Sequence, residues 1–180
     1  MDAANAGITR PTLRHALAGL EAGMLGALLM LAWLMLSSAW NRRSVWIVPN
    51  LFATTFYGPE AYGGVFHKTT WSGIALLLAI YGLGGAIWGI VWGDERRRFL
   101  VLLGAATGFA VYLLLFDVIW KHVNPLFSIY APYGRLRIAH VLWGMMLARS
   151  PQYSGEIARA YEDPGFTPQE AAAMNRGEFI

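Results

Sequence analysis

The sequence predicts an all-α fold: a polytopic membrane helix bundle in which four transmembrane helices form two hairpins with interfacial loops. The first observation is composition, because 56% of the 180 residues are hydrophobic and only 14% are charged, against about a quarter charged in soluble domains. The second is that the charges cluster between long apolar runs and in the tails. The third is length, because the longest runs reach the ~20 residues that a helix needs to cross ~30 Å of hydrocarbon.

The first span is predicted at residues 16–36, after an N-terminal tail of residues 1–15. Leucine, methionine and alanine dominate this run, and Glu21 is its one charged residue. A tryptophan and then Arg42 and Arg43 follow, as is typical of an anchor at the membrane interface. Because the run is longer than the 7–15 residues of a signal-peptide core, we expect it to stay in the protein.

Residues 44–68 have a different composition. Prolines and glycines interrupt a partly apolar stretch, and neither strand nor helix periodicity persists across it. We therefore expect a long interfacial loop, with room for a short helix that lies in the headgroup plane.

The second and third spans are predicted at residues 71–92 and 99–120, joined by a short charged turn. Both regions carry glycines four residues apart, which lie on one helix face and let another backbone approach closely. These predicted packing residues are Gly85, Gly89 and Gly93 in and just after the second span, and Gly104 and Gly108 in the third. Because the turn is short, we expect the two spans to run antiparallel and to pack together.

The fourth span, at residues 136–149, is the shortest. Its continuously apolar part covers only about 20 Å of helix, and it contains Arg137 and His140. It can still cross the bilayer if Tyr133 and Arg149 extend toward the two surfaces. The transmembrane domain is therefore predicted to contain four crossings.

The last segment, residues 150–180, is a polar C-terminal tail. Ser150-Pro151 resembles a helix start, and a capping box with proline at the first helical position occurs at residues 167–170. The sequence predicts a short helix at residues 168–176 that lies at the membrane surface or binds a partner.

Lysine and arginine counts predict the orientation, since cytoplasmic loops carry an excess of both. With four spans, one side receives eight: Arg10, Arg14, Arg96, Arg97, Arg98, Arg149, Arg159 and Arg176. The other side receives six: Arg42, Arg43, Lys68, Lys121, Arg135 and Arg137. We therefore expect both termini in the cytoplasm.

The two loops on that second side resemble each other. Residues 48–52 read Val-Pro-Asn-Leu-Phe and residues 123–127 read Val-Asn-Pro-Leu-Phe, and each segment is followed by a proline and a Tyr-Gly pair. Such a repeat predicts two parallel hairpins related by an axis near the membrane normal. Chance repetition of a short motif is the alternative explanation.

Together these features resemble the YagU-like and related small four-helix bacterial inner-membrane proteins. The similarity covers residues 17–150 and consists of a first helix with glycine and alanine, an early loop with proline, a glycine-rich central hairpin, and the segment His140 to Gly144 in the last helix. The resemblance implies a four-helix fold in a bacterial inner membrane, and it implies no activity. The polar C-terminal tail is longer than that family leads us to expect.

Polar side chains within reach of the membrane are concentrated on one predicted side. They are Asp117, Lys121, His122, Arg137 and His140, together with His67 and Arg135. Imidazoles in such a group can hold a metal, a haem or a quinone head group, or they can anchor helix ends at the interface. We favour the anchors and predict neither metal nor cofactor, because haem in a helical bundle needs histidines well inside facing spans.

Charged residues at membrane depth are functional candidates, because an isolated charge is costly there. Asp117 and Lys121 are four residues apart with the acid first, which favours a local ion pair, although Asp117 can instead reach a cation of the fourth span. Glu21 lies near the opposite surface, where Arg14 or residues 96–98 can neutralise it. Glu21 and Asp117 together could mark the two mouths of a pathway.

The sequence favours a noncatalytic membrane protein that packs with itself or with a larger membrane complex through the Gly85 to Gly93 face and the aromatic loops. A small transporter or channel subunit with Asp117, His122 and His140 lining an entry is the alternative, and a quinone-linked redox subunit is a third. No catalytic motif stands in a suitable context. The absence of cysteine excludes thiolate sites, and a net charge of +3 without a basic stripe argues against nucleic acid.

Overall fold

The computed structural model describes residues 10–93 and 99–162, and every regular element in these ranges is helical. The prediction of an all-α fold is therefore confirmed for these residues. In chain order the elements are α1 (Arg10–Trp40), α2 (Ile47–Tyr57), a 3-10 turn (Gly58–Ala61), α3 (Lys68–Trp92), α4 (Leu100–Leu113), a π-helical segment (Leu114–Ile119), α5 (Trp120–Val123), α6 (Leu126–Tyr130), α7 (Tyr133–Leu147) and α8 (Ser150–Glu162).

Three helical segments are long and apolar enough to cross a membrane: Thr12–Trp40, Lys68–Trp92 and Leu100–Val123. They closely match the first three predicted spans. The third segment runs without interruption through α4, the π-helical segment and α5. The fourth predicted span corresponds to α7, a helix of 15 residues and so about 22 Å long at 1.5 Å per residue.

Large apolar side chains cover the outer surface of the long helices. Leu36, Ile87 and Leu102 are 65%, 64% and 73% exposed, and similar residues continue along each helix. Water-soluble proteins rarely expose apolar surface so continuously, whereas hydrocarbon accommodates it. The exposed surface and the length of the three helices are compatible with a membrane protein.

Glycines bring α1 and α3 into backbone contact. A Cβ atom added at Gly19 would overlap the Gly85 carbonyl oxygen, one at Gly89 would overlap the His15 carbonyl oxygen, and one at Gly93 would collide with the His15 ring. The structure thus places the glycine face of α3 at a helix interface. Because α1 of the same chain covers this face, a second copy or a partner would have to bind elsewhere.

A second pair of helices, α4 and α7, meets in the same way. Added Cβ atoms at Gly104 and Gly108 would overlap the carbonyl oxygens of Gly144 and His140, respectively. Since the order of the contacts reverses along the two helices, α4 and α7 are antiparallel. The glycines expected in the third span therefore pack against the fourth helix.

The two pairs are joined through α1 and α7. Trp143 Nε1 donates to the Gly23 carbonyl oxygen at 3.1 Å, and Trp33 Nε1 donates to the Arg135 carbonyl oxygen at 3.1 Å. In the described residues α3 and α4 are not a close helix pair, so the expectation that the second and third spans pack together is wrong. The physical reason is that each glycine face is already occupied, one by α1 and the other by α7.

The first loop contains more helix than expected. Most of α2 is buried, and it packs against α3, where an added Cβ at Gly73 would overlap the Pro49 carbonyl oxygen. The short helix that had room in this loop is therefore present, and it packs against the bundle.

Beyond α7 the chain continues into α8, which begins at Ser150 as the Ser-Pro pair predicted. This helix packs along α1. The helix predicted at residues 168–176 and the charged residues 94–98 lie outside the described residues.

Candidate polar site between α4 and α7

Asp117 lies in the π-helical segment that joins α4 to α5 within the third apolar segment. Its carboxylate is 3.7 Å from Lys121 Nζ, and both side chains are about half exposed. The local ion pair expected from their spacing is therefore present. A π-helical turn is rare and is often found at functional sites, and no pattern in the sequence had indicated one here.

Tyr112 interacts with three of the predicted site residues. The charges of Asp117 and Arg137 both lie near enough to the Tyr112 hydroxyl to act on it. Its ring meets the His140 ring edge to face, with 5.4 Å between centroids. Asp117, Arg137 and His140 are thus arranged around a tyrosine that the sequence analysis had not singled out.

His140 is fully buried, and both of its ring nitrogens are occupied. Nδ1 is 2.7 Å from the Leu136 carbonyl oxygen, which can only accept, so Nδ1 carries the proton. Nε2 then accepts from the Tyr81 hydroxyl at 2.7 Å. With neither nitrogen free, His140 fits a link between α7 and α3 better than it fits a metal, haem or quinone ligand.

The other two histidines of the predicted group have separate local contacts. His122 is exposed and its Nδ1 lies 2.7 Å from the Val118 carbonyl oxygen of the preceding turn. His67 caps α3, where it forms a capping box with Thr70. In residues 10–93 and 99–162, no three histidine, aspartate or glutamate side chains form a group that could hold a metal ion.

Glu21 lies on the exposed side of α1, near the end of the bundle opposite to Asp117. Arg14, one of its expected partners, is instead 3.5 Å from His15 through a terminal guanidinium nitrogen. The other expected partners, residues 96–98, lie outside the described residues. The structure therefore does not bring Glu21 together with the polar residues around Tyr112.

Two asparagines that sequence reasoning missed, Asn50 and Asn124, stabilise the loop between α1 and α3 and the loop between α5 and α7. The Asn50 side-chain nitrogen donates to the carbonyl oxygens of Gly63 and Val65 at 2.7 and 2.9 Å, and its oxygen accepts from Thr70 at 2.6 Å. Because Asn50 is fully buried, these bonds satisfy an amide that would otherwise be costly to bury. The available signal was an asparagine inside an apolar segment.

Asn124 has the same role in the second loop. Its side-chain nitrogen donates to the Thr54 hydroxyl at 2.7 Å, and its oxygen accepts from the Leu126 backbone N–H at 3.2 Å. Beside this bond the Phe52 and Phe127 rings meet edge to face at 5.0 Å. The two loop segments that echo each other in sequence therefore contact each other directly.

Outside the apolar helices, Tyr62 stacks on Tyr130 with 4.4 Å between ring centroids. Burial, followed by the nearby Tyr130, raises the pKa of the Tyr62 hydroxyl above its ordinary value, and the positive charge of Arg43 partly opposes this. This aromatic pair ties the end of the first loop to the second.

Comparisons of the chain with protein-family models, with curated proteins and with solved structures found no match.

Proposed function

We propose that this chain is a multi-pass protein of a bacterial inner membrane in which α1, α3, the α4–α5 segment and α7 cross the bilayer as two hairpins. The location of α8 supports the fourth crossing. Residues from the start of α1, the end of α3 and α8 line one pocket, so α7 carries the chain back to the end of the bundle where α1 begins. The excess of arginine at that end favours a cytoplasmic location for both termini.

Within this bundle, the protein acts as a noncatalytic structural subunit that associates with itself or with a larger membrane complex. The observation that carries this proposal is the way in which interhelical polar side chains are paired. His140 bonds to Tyr81, Asn124 to Thr54, and Asn50 to Thr70. Each bond joins different elements and uses groups that a substrate would otherwise bind, as in a rigid scaffold.

The assembly surface must then lie on the outer apolar faces, because the glycine faces are covered within the chain. Single cysteines test this in a chain that contains none. Cysteine at Leu36, Ile87 or Leu102 samples three exposed helix faces, and cysteine at the fully buried Leu77 is the matched control.

Full-length protein is oxidised in native membranes and then extracted in mild detergent. Self-association predicts a disulfide-linked dimer for one exposed position and none for Leu77→Cys. A larger complex predicts a particle well above the 19.9 kDa of the chain without that dimer. A monomer in both assays contradicts the proposal.

A transporter or channel subunit is the second candidate, and the arrangement around Tyr112 favours it. Asp117 and Arg137 lie near one tyrosine hydroxyl, and Asp117 sits on a π-helical turn. Proton or ion flux in liposomes should then fall in Asp117→Asn, and further in combination with Glu21→Gln. Unchanged flux in the double variant would remove this candidate.

The resemblance to YagU-like proteins stays a prediction.

A further inference from the structure

A pocket of about 240 Å³ lies where the start of α1, the end of α3 and α8 meet. Its lining includes Arg14, His15, Gly93, Ser154 and Gly155. None of these residues belongs to the polar group around Tyr112, which lies toward the opposite end of the bundle. The pocket is therefore a separate feature.

Arg14 gives this pocket its positive charge. Within the part of the chain that the structure describes, the guanidinium Nε of Arg14 is buried and has no hydrogen-bond partner, and a terminal nitrogen lies 3.5 Å from His15 Nε2. A buried donor without an acceptor is unfavourable. An acceptor with negative charge would supply both the missing bond and a counter-charge.

A phosphate group matches these donors better than a point anion does. Guanidinium presents several N–H groups in a planar fork that fits the oxygens of phosphate. Ser154, which is only 5% exposed, adds a hydroxyl to the pocket wall from α8. Arg14 of α1 and Ser154 of α8 therefore line the same cavity.

In the proposed topology the pocket lies at the level of the lipid headgroups. Leu13 and Leu17, which flank Arg14 on α1, are 51% and 42% exposed, so the same turn of helix carries apolar side chains outward. At the proposed cytoplasmic end of α1, a lipid phosphate would lie beside these leucines. A soluble phosphate would reach the pocket from the aqueous side.

We propose that this pocket binds a phosphate group, with Arg14 as the charge partner and Ser154 as a hydroxyl donor. The source of the phosphate, a lipid headgroup or a free anion, depends on the proposed membrane topology. The binding itself does not depend on an assembly role.

The test uses full-length protein in detergent micelles, with dioleoyl phosphatidylglycerol as the first probe and native mass spectrometry to count bound lipid. Arg14→Gln should weaken retention of one lipid about tenfold, a difference of about 1.4 kcal/mol. Arg149→Gln is the matched control, since it removes the same charge at the same end from an exposed residue outside the pocket lining, and it should change retention less than twofold.

A second variant guards against misfolding of Arg14→Gln. Gly155 lines the pocket, and an added Cβ there meets nothing within 4 Å. Because glycine inside a helix is less favourable than a residue with a side chain, Gly155→Leu should leave α8 folded while it occupies the open space. It should lower lipid retention as Arg14→Gln does.

Inorganic phosphate is the second probe, added in competition with phosphatidylglycerol. Displacement of the lipid at millimolar phosphate identifies the free anion as a ligand, and retention of the lipid identifies the headgroup. Equal effects of Arg14→Gln and Arg149→Gln would overturn the proposal, because they would reflect surface charge alone. So would full lipid retention in Gly155→Leu. Neither result would bear on the cross-linking test of assembly.

Discussion

At the scale of single residues, Gly108 sets how closely α4 and α7 approach. Gly108→Ala places a methyl group against the His140 carbonyl oxygen, which is backbone and cannot rotate away. We expect a loss of about 1–3 kcal/mol in the free energy of unfolding, as is usual for overpacking. Denaturant unfolding of the wild-type protein and Gly108→Ala in mixed micelles measures this loss.

Gly134→Ala is the control for that substitution, because an added Cβ at Gly134 meets no atom within 4 Å. Since Gly134 lies in the first turn of α7, alanine should be neutral or slightly stabilising there. Equal losses for the two variants would show that close backbone contact at Gly108 is not the cause.

Tyr81 tests the link between α3 and α7. Tyr81→Phe removes the donor to His140 Nε2 and leaves a buried acceptor unpaired, while the ring contacts are kept. Hydrogen bonds between membrane helices are worth about 1 kcal/mol, and the same loss is expected in an unfolding titration. Tyr57→Phe, which removes a bond between exposed hydroxyls of Tyr57 and Ser72, should cost less, and a reversed order would contradict the assigned role of Tyr81.

The surroundings of Tyr62 predict that the stability of the protein falls at alkaline pH. Burial first, then Tyr130, raises the pKa of Tyr62, so the folded protein favours the neutral phenol. Its contribution to stability is fully present below the ordinary pKa near 10 and is lost as the pH rises through the raised value. The tyrosinate absorbance that disappears in Tyr62→Phe should therefore titrate above the ordinary range, and titration at or below that range would contradict the prediction.

Sequence alone located several of these residues but not their partners. The spacing of Asp117 and Lys121 predicted their ion pair because both lie on one helix. His140 was noticed, but Tyr81 is 59 residues away, and periodicity within one helix carries no information about a residue on another. Tyr112 was missed because aromatic residues are common in apolar helices, so its presence there gave no signal.

At the scale of elements, α2 and the following loop depend on Asn50. Asn50→Leu removes two bonds to the backbone of residues 63–65 and one to Thr70. We expect faster backbone hydrogen exchange in residues 62–67, because this segment loses its main tether. Exchange measured by mass spectrometry should increase several-fold there and little in α4.

The control for Asn50→Leu is Asn41→Leu. Asn41 is exposed, and its side chain donates to the Ser37 carbonyl oxygen of α1, the helix that ends just before it. Its replacement should leave the exchange of residues 62–67 unchanged. A similar increase in both variants would show that the tether lies elsewhere.

The pairing of helices shows a second limit of the sequence. Glycines four residues apart correctly indicate a helix face without side chains. Such a face does not identify the helix that packs on it, because any neighbouring helix could approach it closely. The short charged turn suggested that α3 and α4 were partners, whereas α3 packs on α1 and α4 packs on α7. The matching glycines on the partner helices, Gly19 and Gly144, were the signal that decides between these pairings.

At the scale of the whole molecule, the proposed hairpins are α1 with α3 and α4 with α7. Glycines lie at the interface of each pair, and the connection within each pair contributes one ring to the contact between Phe52 and Phe127. The α1–α7 contact then joins the hairpins. This agreement between packing and the repeated loop sequence supports a common plan for both halves.

The number of crossings is the last prediction, and it depends on α7. Four crossings place α6 and α8 on opposite sides of the membrane, whereas a non-crossing α7 would leave them on the same side. Ser128 in α6 and Gln152 in α8 are both exposed, so each can be replaced by cysteine in the cysteine-free chain.

A membrane-impermeant maleimide added to intact spheroplasts should label Ser128→Cys, and should label Gln152→Cys only after permeabilisation. Asn41→Cys at the end of α1 is the control and should behave like Ser128→Cys. Labelling of both Gln152→Cys and Ser128→Cys in intact spheroplasts would leave only three crossings, because the 15 residues of α7 would then return to the side where they began.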